Sequence, residues 1–415
     1  KLYALPILAS AQPEAWLQAS KKTLLFQSIL AILLYLLSCC VALYGSGLFW
    51  SFFLLASILM ASAMILPLLI VFCLKWGLSV ARGPLAQWFW TDARQQLSGL
   101  SFALMALLVA LSANVGVGTM VSCFRSTFVS WLDQRLASEL YVSARTNEEG
   151  DRLQEWLKTR SDAVLPISNV EVEINGVPIS IYGVANHPTY REKWPIIESL
   201  PTAWDKVAEG QGVLINEQMA YRQKLHLGVP FNLPNGAKRT VVGIYSDYGN
   251  PVCQILMGLE DFRRSYPEAS RLRFAVRVSA SDVESLEKDL ELKFLLPETS
   301  VVNQAFLKKL SLTTFDRTFR ITEALNILTL GVAGLAMFTS LLTLTTMRIK
   351  KMAPLWAMGI SRPTLAALEL FRNIFLSALT ALFAIPVGVG VAWILISRVN
   401  VEAFGWRIPL SFHPT

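Results

Sequence analysis

The sequence is short of charge. Lys, Arg, Asp and Glu make up 16% of its 415 residues, while 53% are apolar. An ordinary soluble domain carries about a quarter charged residues, so that class is excluded. Histidine is scarce too: His187, His226 and His413 are scattered, with no H-E-x-x-H pattern. The five cysteines show neither metal-ligand spacing nor a paired framework. Gly-Lys never occurs, and a nucleotide-binding loop needs that lysine and its neighbouring amides to hold phosphates. There is no G-x-S-x-G nucleophile elbow either. No catalytic, cofactor-binding or metal site is therefore expected, and Asp247 in YSDYGNP reads as turn chemistry. The opening KLYALPILASAQ lacks a basic start and a long apolar stretch, so it is not a signal peptide. Without an initiator Met, and with a polar HPT end, the chain is expected to be a piece of a longer protein.

What the sequence does have is long apolar runs. Residues 23–44, 49–73, 98–121, 324–347 and 373–397 contain no Asp, Glu, Lys or Arg. Each is long enough to cross a hydrocarbon core about 30 Å thick, which takes roughly 20 helical residues. Only a helix satisfies its own backbone there without a partner. The net charge of +7 is spread around these runs rather than gathered in a nucleic-acid patch. Lys and Arg cluster in 1–22, 74–97 and 348–372, whereas the connection 45–48 has none. The excess of positive residues on the inner side then places those three segments in the cytoplasm and 122–323 outside. The spans carry no charge, which argues against an ion-coupled transporter. Asn114 reads as an interhelical hydrogen bond, and Gly388 and Gly390 as close helix packing.

The expected organisation is a cytoplasmic tail or linker (1–22), a two-span hairpin (23–75), an interfacial helix (76–97) rich in Trp88, Phe89 and Trp90, and a third span (98–121). An external α+β domain (122–323) follows, then a span (324–347), a cytoplasmic loop (348–372), a span (373–397) and an external loop (398–415). The third span continues outward as a helix over 124–140, with Phe124, Phe128, Trp131 and Leu132 at helical spacing. A matching helix, 307–325, leads back into the fourth span. Between them the order β-α-β-β … β-α-β suggests a ferredoxin-like sandwich with a β-rich insertion at about 205–262. Asn175-Gly176 and Asn235-Gly236 are hairpin turns.

The loop RIKKMAPLWAMGISRPT, residues 348–364, is both basic and apolar. After Arg348 the chain can form a short helix that ends at Gly359, with Ser361 or Thr364 capping the next one. Exposed Met352, Leu355, Trp356 and Met358 fit a partner surface, and they fit equally well a set of headgroup anchors. The segment KMAPLWAMGISR resembles the R-E-I-[AG]-[LI]-L-[RK]-A-[LM]-G-A-S-R signature of FtsX-like ABC transporter permeases. Lys351, Leu355, Ala357, Met358, Gly359, Ser361 and Arg362 match it. Met352 stands where that family usually has Glu, and Trp356 where it has a basic residue. The external region resembles the MacB-like periplasmic core domain, notably in SWLDQRLASELYV and GVLINEQMA…LGVPFNL…VVGIYSDYG.

The resemblance covers about 77–397 and implies a ten-span member of the family, in the bacterial inner membrane, with its large domain in the periplasm. It implies docking of a separate cytoplasmic ATPase through Arg348, Lys351, Met352, Leu355, Trp356, Met358, Gly359, Ser361 and Arg362. ATP and Mg would be bound by that partner, leaving this chain without a cofactor and without enzyme activity. Movement would pass along the third and fourth spans to the external domain, acting on lipid, lipoprotein, another hydrophobic compound or a periplasmic partner, with no nucleic acid involved. A membrane sensor or scaffold with a ligand-binding external domain is the alternative.

Overall fold

The computed structural model describes residues 13–174, 176–250, 252–357 and 361–409, with the backbone alone for 13–23, 84–85, 98, 298 and 344–357. Among the described residues, five helices are long and apolar enough to cross a bilayer. The chain forms two units, one of residues up to 122 with 320–399, the other of 123–319 with 400–409. The first helix, α1, spans Pro13–Tyr44. It therefore takes in 13–22, which the sequence reading left as a tail or linker. Gly47, at φ +97°, turns the chain into α2, Leu48–Val80. Arg82, Gly83 and Pro84 break the helix next, and Pro84 opens α3, Pro84–Arg135. Pro fits there because the first helical N–H needs no partner. No separate interfacial helix exists over 76–97. Nothing after Pro84 stops the helix, so 84–97 are its first turns.

The second unit holds β1 (Leu140–Ser143), α4 (Asn147–Lys158), β2 (Ala163–Ile174), β3 (Val177–Val184), α5 (Pro188–Lys193), β4 (Ile196–Ser199) and α6 (Ala203–Ala208). Then come β5 (Gly212–Asn216), α7 (Glu217–Gln223), β6 (Pro230–Asn232), β7 (Lys238–Tyr245), β8 (Cys253–Gly258), α8 (Leu259–Ser265), β9 (Arg273–Arg277), α9 (Val283–Phe294) and β10 (Val301–Asn303). The strands run β10-β1-β9-β2-β3-β8-β5-β7-β4, with β6 on β7. In the first four, β1 pairs antiparallel with β10 and β9, and β9 with β2. Two β-α-β units thus interleave, which is the ferredoxin-like arrangement. Helices α4 and α9 cover one face, where Leu153, Leu157, Leu286 and Leu290 meet Leu140, Val142, Phe274 and Val276. Thr146 caps α4 by accepting the Glu149 N–H at 3.2 Å.

The β-rich part is wider than 205–262. The twelve-residue β2 pairs with β9 over Ala163–Ile167 and with β3 from Ser168 onward, so the second sheet begins inside β2 and continues through β3 and β8 to β5, β7, β4 and β6. Alternation alone marks β2 and β3 as strands but not which sheet they join. Ile174 pairs with Val177 across the first hairpin, and Gly176 takes φ +78°; Asn175 lies outside the described residues. At the second hairpin Asn235 Oδ1 accepts the Ala237 N–H at 3.1 Å. Asp247 is buried in the turn after β7. Its Oδ2 accepts from Asn250 Nδ2 at 2.9 Å, and its carbonyl accepts from Gln218 Nε2 at 2.6 Å.

Helix α10 spans Gln304–Ala357, α11 Arg362–Ile394 and α12 Asn400–Phe404. In the first unit, Leu66, Ile70 and Leu74 of α2, Leu97, Leu100, Leu104 and Leu108 of α3, and Leu376 of α11 form the core. A Cβ on Gly388 would come within 2.6 Å of Val115 Cβ, so α3 and α11 touch there as the sequence suggested. Gly390 has open space around it and serves no such contact. Asn114 Nδ2 donates to Asn326 O at 3.3 Å, joining α3 to α10. The outward helix of α3 ends at Arg135, not 140, because Leu140 enters the sheet.

Burial raises the Asp247 pKa against the opposing effects of Arg135, Asn250 and Asn216. A raised folded-state value stabilises the fold fully below the unfolded pKa of about 3.9, and that contribution is lost as pH rises through the folded value. Asp247→Asn should therefore flatten the pH dependence of thermal stability, with its gain over wild type largest at neutral pH and vanishing in acid. Melting of the purified chain in detergent across pH tests this; an unchanged slope contradicts it.

Candidate coupling site

The expected docking residues fall at a helix end. Arg348, Lys351, Met352, Leu355 and Trp356 occupy the last turns of α10, which runs unbroken to Ala357. There is no separate short helix after Arg348; the span helix itself continues. Positions 348, 351, 352, 355 and 356 share one stripe, because steps of three, four, seven and eight residues return to the same side at 3.6 residues per turn. Met358 and Gly359 lie outside the described residues. Of the two candidate caps, Ser361 is the one used: its Oγ accepts the Thr364 N–H at 3.4 Å and lies 2.8 Å from Thr364 Oγ1. Arg362, the first residue of α11, is exposed.

Three turns further along, α11 carries a feature that local patterns do not reveal. Its buried stripe runs Leu365, Arg372, Leu376, Thr380, Ala384 and Gly388. Arg372 is only 2% exposed, and it is charged. Its Nη1 donates to Asp92 Oδ2 on α3 at 2.5 Å, and its Nη2 lies 2.8 Å from Glu369 Oε2. Rings close the same junction: Phe89 lies 5.6 Å from Phe371, and Trp90 5.3 Å from Phe375, edge-on. A buried guanidinium is tolerable only when paired. The foot of α11, next to the expected docking segment, is thereby locked to the foot of α3. The available signal was Asp92, the lone acid in 76–97, together with the Glu369-Arg372 step of three.

The second unit shows how the other ends of α3 and α10 are held. Phe128 stacks on Phe315 at 5.3 Å, and Phe124 meets Phe315 edge-on at 5.2 Å. Arg125 pairs with Asp316 at 3.0 Å, and Lys308 pairs with Asp133. Gln304 donates from its backbone N–H to Glu139 O at 2.9 Å and from Nε2 to Leu136 O at 2.5 Å. Because β1 and β10 are neighbours in the sheet, the helix leading in and the helix leading out are paired directly below it in sequence.

In an alignment 391 positions long that covers 89% of the chain, it is 28% identical to an uncharacterized ABC transporter permease protein of Mycobacterium tuberculosis. The chain is thus similar to an ABC transporter permease. It spans 46%, about half, of that relative's length. No family model matches. Among solved structures it is similar to the extracellular domain of the noncanonic ABC-type transporter YknZ from Gram-positive bacteria, at 14% identity, covering 40% of this chain and 98% of that one with a TM-score of 0.29. It is also similar to the periplasmic region of MacB from Actinobacillus actinomycetemcomitans, at 15% identity, covering 41% and 91% with a TM-score of 0.30. The permease relationship fits a membrane protein whose sheet unit stands outside the bilayer.

Removing one partner of a buried ion pair costs about 3–5 kcal/mol, because the other charge is left without compensation. Arg372→Met should therefore lower the stability of the chain by several kcal/mol. The double change Arg372→Met with Asp92→Asn should recover much of that loss. Detergent melting of the two variants reads the difference; equal loss in both would show that Asp92 does not hold Arg372.

Proposed function

We propose that this chain is the membrane subunit of an ATP-driven assembly in the bacterial inner membrane. A separate cytoplasmic ATPase binds the stripe Arg348, Lys351, Met352, Leu355 and Trp356 together with Met358, Gly359, Ser361 and Arg362. That partner, not this chain, holds ATP and Mg. The observation that carries the reading is α10: one helix joins β10 of the sheet unit to the expected docking segment without a break. A helix transmits displacement because its hydrogen-bonded turns resist compression. The Asp92–Arg372 pair adds the foot of α3 to the moving part.

The work done in the periplasm is the export or extraction of a hydrophobic compound, a lipid or a lipoprotein. The uncharged spans support this, as does an open, mostly apolar groove of about 590 Å3 in the helical unit, lined by Met60, Met64, Phe102, Met105, Val109 and Val332. Such a lining suits hydrocarbon better than ions.

A carboxylate in the docking stripe would have to be desolvated against the partner. Leu355→Asp should accordingly abolish co-purification of the ATPase while leaving the amount of protein in the membrane unchanged. Retained association would contradict the assignment of the docking stripe.

A further inference from the structure

The segment after the last span is not a free loop. Residues 400–409 belong to the sheet unit. Within it, Trp406 is 5% exposed and meets Tyr248 edge-on at 6.4 Å, with Phe404 stacked on it at 5.1 Å. Arg407 donates its backbone N–H to Glu217 Oε2 at 3.1 Å, and its carbonyl accepts from Tyr248 Oη at 3.3 Å. Val401 and Ile408 are buried as well. Gly405, at φ +80°, bends the segment so closely over α7 that a Cβ there would lie 3.7 Å from Gln218 Cβ.

The segment thus meets α7 and the turn after β7, residues 246–250, which are joined to each other. Gln218 Nε2 donates to Asp247 O and Asn250 O. The same turn is also held from α3: Trp131 Nε1 donates to Ser246 O at 3.0 Å, and its ring meets Tyr248 edge-on at 6.1 Å. Tyr248 is thus touched by Trp131, which follows the third span in sequence, and by Trp406, which follows the fifth. At its other end, α11 starts at Arg362, capped by Ser361, in the expected docking segment. Its outer end is tied to the first hairpin by Arg398, which donates to Gly45 O at 2.9 Å and to Ala42 O.

We propose that residues 400–409 are a third strut, which links α11 to the turn around Tyr248, so that this turn receives movement from α3 and α11 together. The proposal rests on the permease reading for its coupling role, though not for the docked segment itself. The strut stays closed during the cycle. It bears force because its sheet end is held by close contacts, Trp406 on Tyr248 and Arg407 on Glu217, while Arg398 ties the outer end of α11 to Gly45.

Two measurements on the full chain test it. A disulfide requires Cβ atoms about 3.5–4.5 Å apart. The pair Gly405→Cys and Gln218→Cys, with the five native cysteines replaced by Ala, should cross-link on mild oxidation in membranes. In the unmodified protein, the Arg407 amide, bonded to Glu217, should resist hydrogen exchange. Trp406→Ala should reduce the chain's stimulation of its co-purified ATPase about five-fold or more, the lower range of a typical coupling. Placing the oxidised cysteine pair in the Trp406→Ala protein should restore stimulation, and reduction should remove it again. Absence of the cross-link together with free exchange overturns the docked segment. Cross-linking without any effect of Trp406→Ala overturns the strut. If the wild-type chain stimulates no ATPase, the permease reading fails and the coupling role falls with it, while the cross-link still decides the docking.

Discussion

The bilayer leaves a backbone no partner but itself, and most of this structure follows from that constraint. An N–H or C=O without a partner in hydrocarbon costs several kcal/mol, so each crossing must be a complete helix. Continuing such a helix costs less than ending it, because an end exposes four unpaired groups. Where no Gly-Pro pair interrupts the sequence, the helix runs on. Helices α3 and α10 therefore reach 52 and 54 residues, or about 80 Å each at 1.5 Å per residue. That is far beyond the thickness of the hydrocarbon, and α10 runs without a break from β10 to Ala357.

Both ends of these long helices are held. At the inner end the grip is electrostatic and aromatic: Arg372 between Asp92 and Glu369, with Phe89 and Trp90 packed on Phe371 and Phe375. At the other end it is a ladder of Phe124, Phe128, Phe315 and Phe319 followed by the adjacent strands β1 and β10. The ferredoxin-like order makes this possible. Interleaving two β-α-β units puts the first and last strands of the domain side by side, so the two helices enter and leave at neighbouring positions. The large second sheet grows from the far end of β2, away from that junction along the strand order.

Much of this was legible in the sequence. Charge-free runs gave the five crossings, and the alternation around Asn175-Gly176 gave the hairpin. The β-α-β order pointed to the ferredoxin-like core. Ser361 beside Pro363 announced the start of α11. The reading failed where the deciding contact is distant in sequence. Residues 76–97 look interfacial by their aromatics, yet Phe89 and Trp90 pack on α11 rather than lying alone. Which sheet β3 joins depends on β8, some seventy residues later. Residues 400–409 carry no regular pattern, and their partners Glu217 and Tyr248 lie in another part of the chain. Local periodicity records which face is apolar, not what will cover it.

The central claim is that one helix, α10, carries the chain from the sheet unit through the bilayer to the docking segment. Cysteine labelling in sealed, oriented vesicles tests it directly, with single cysteines at Phe306 and Trp356 in a background without native cysteines. An impermeant maleimide should label position 306 only from outside and position 356 only from inside. Labelling of both positions from the same face would contradict the claim, since no single crossing helix could then join them.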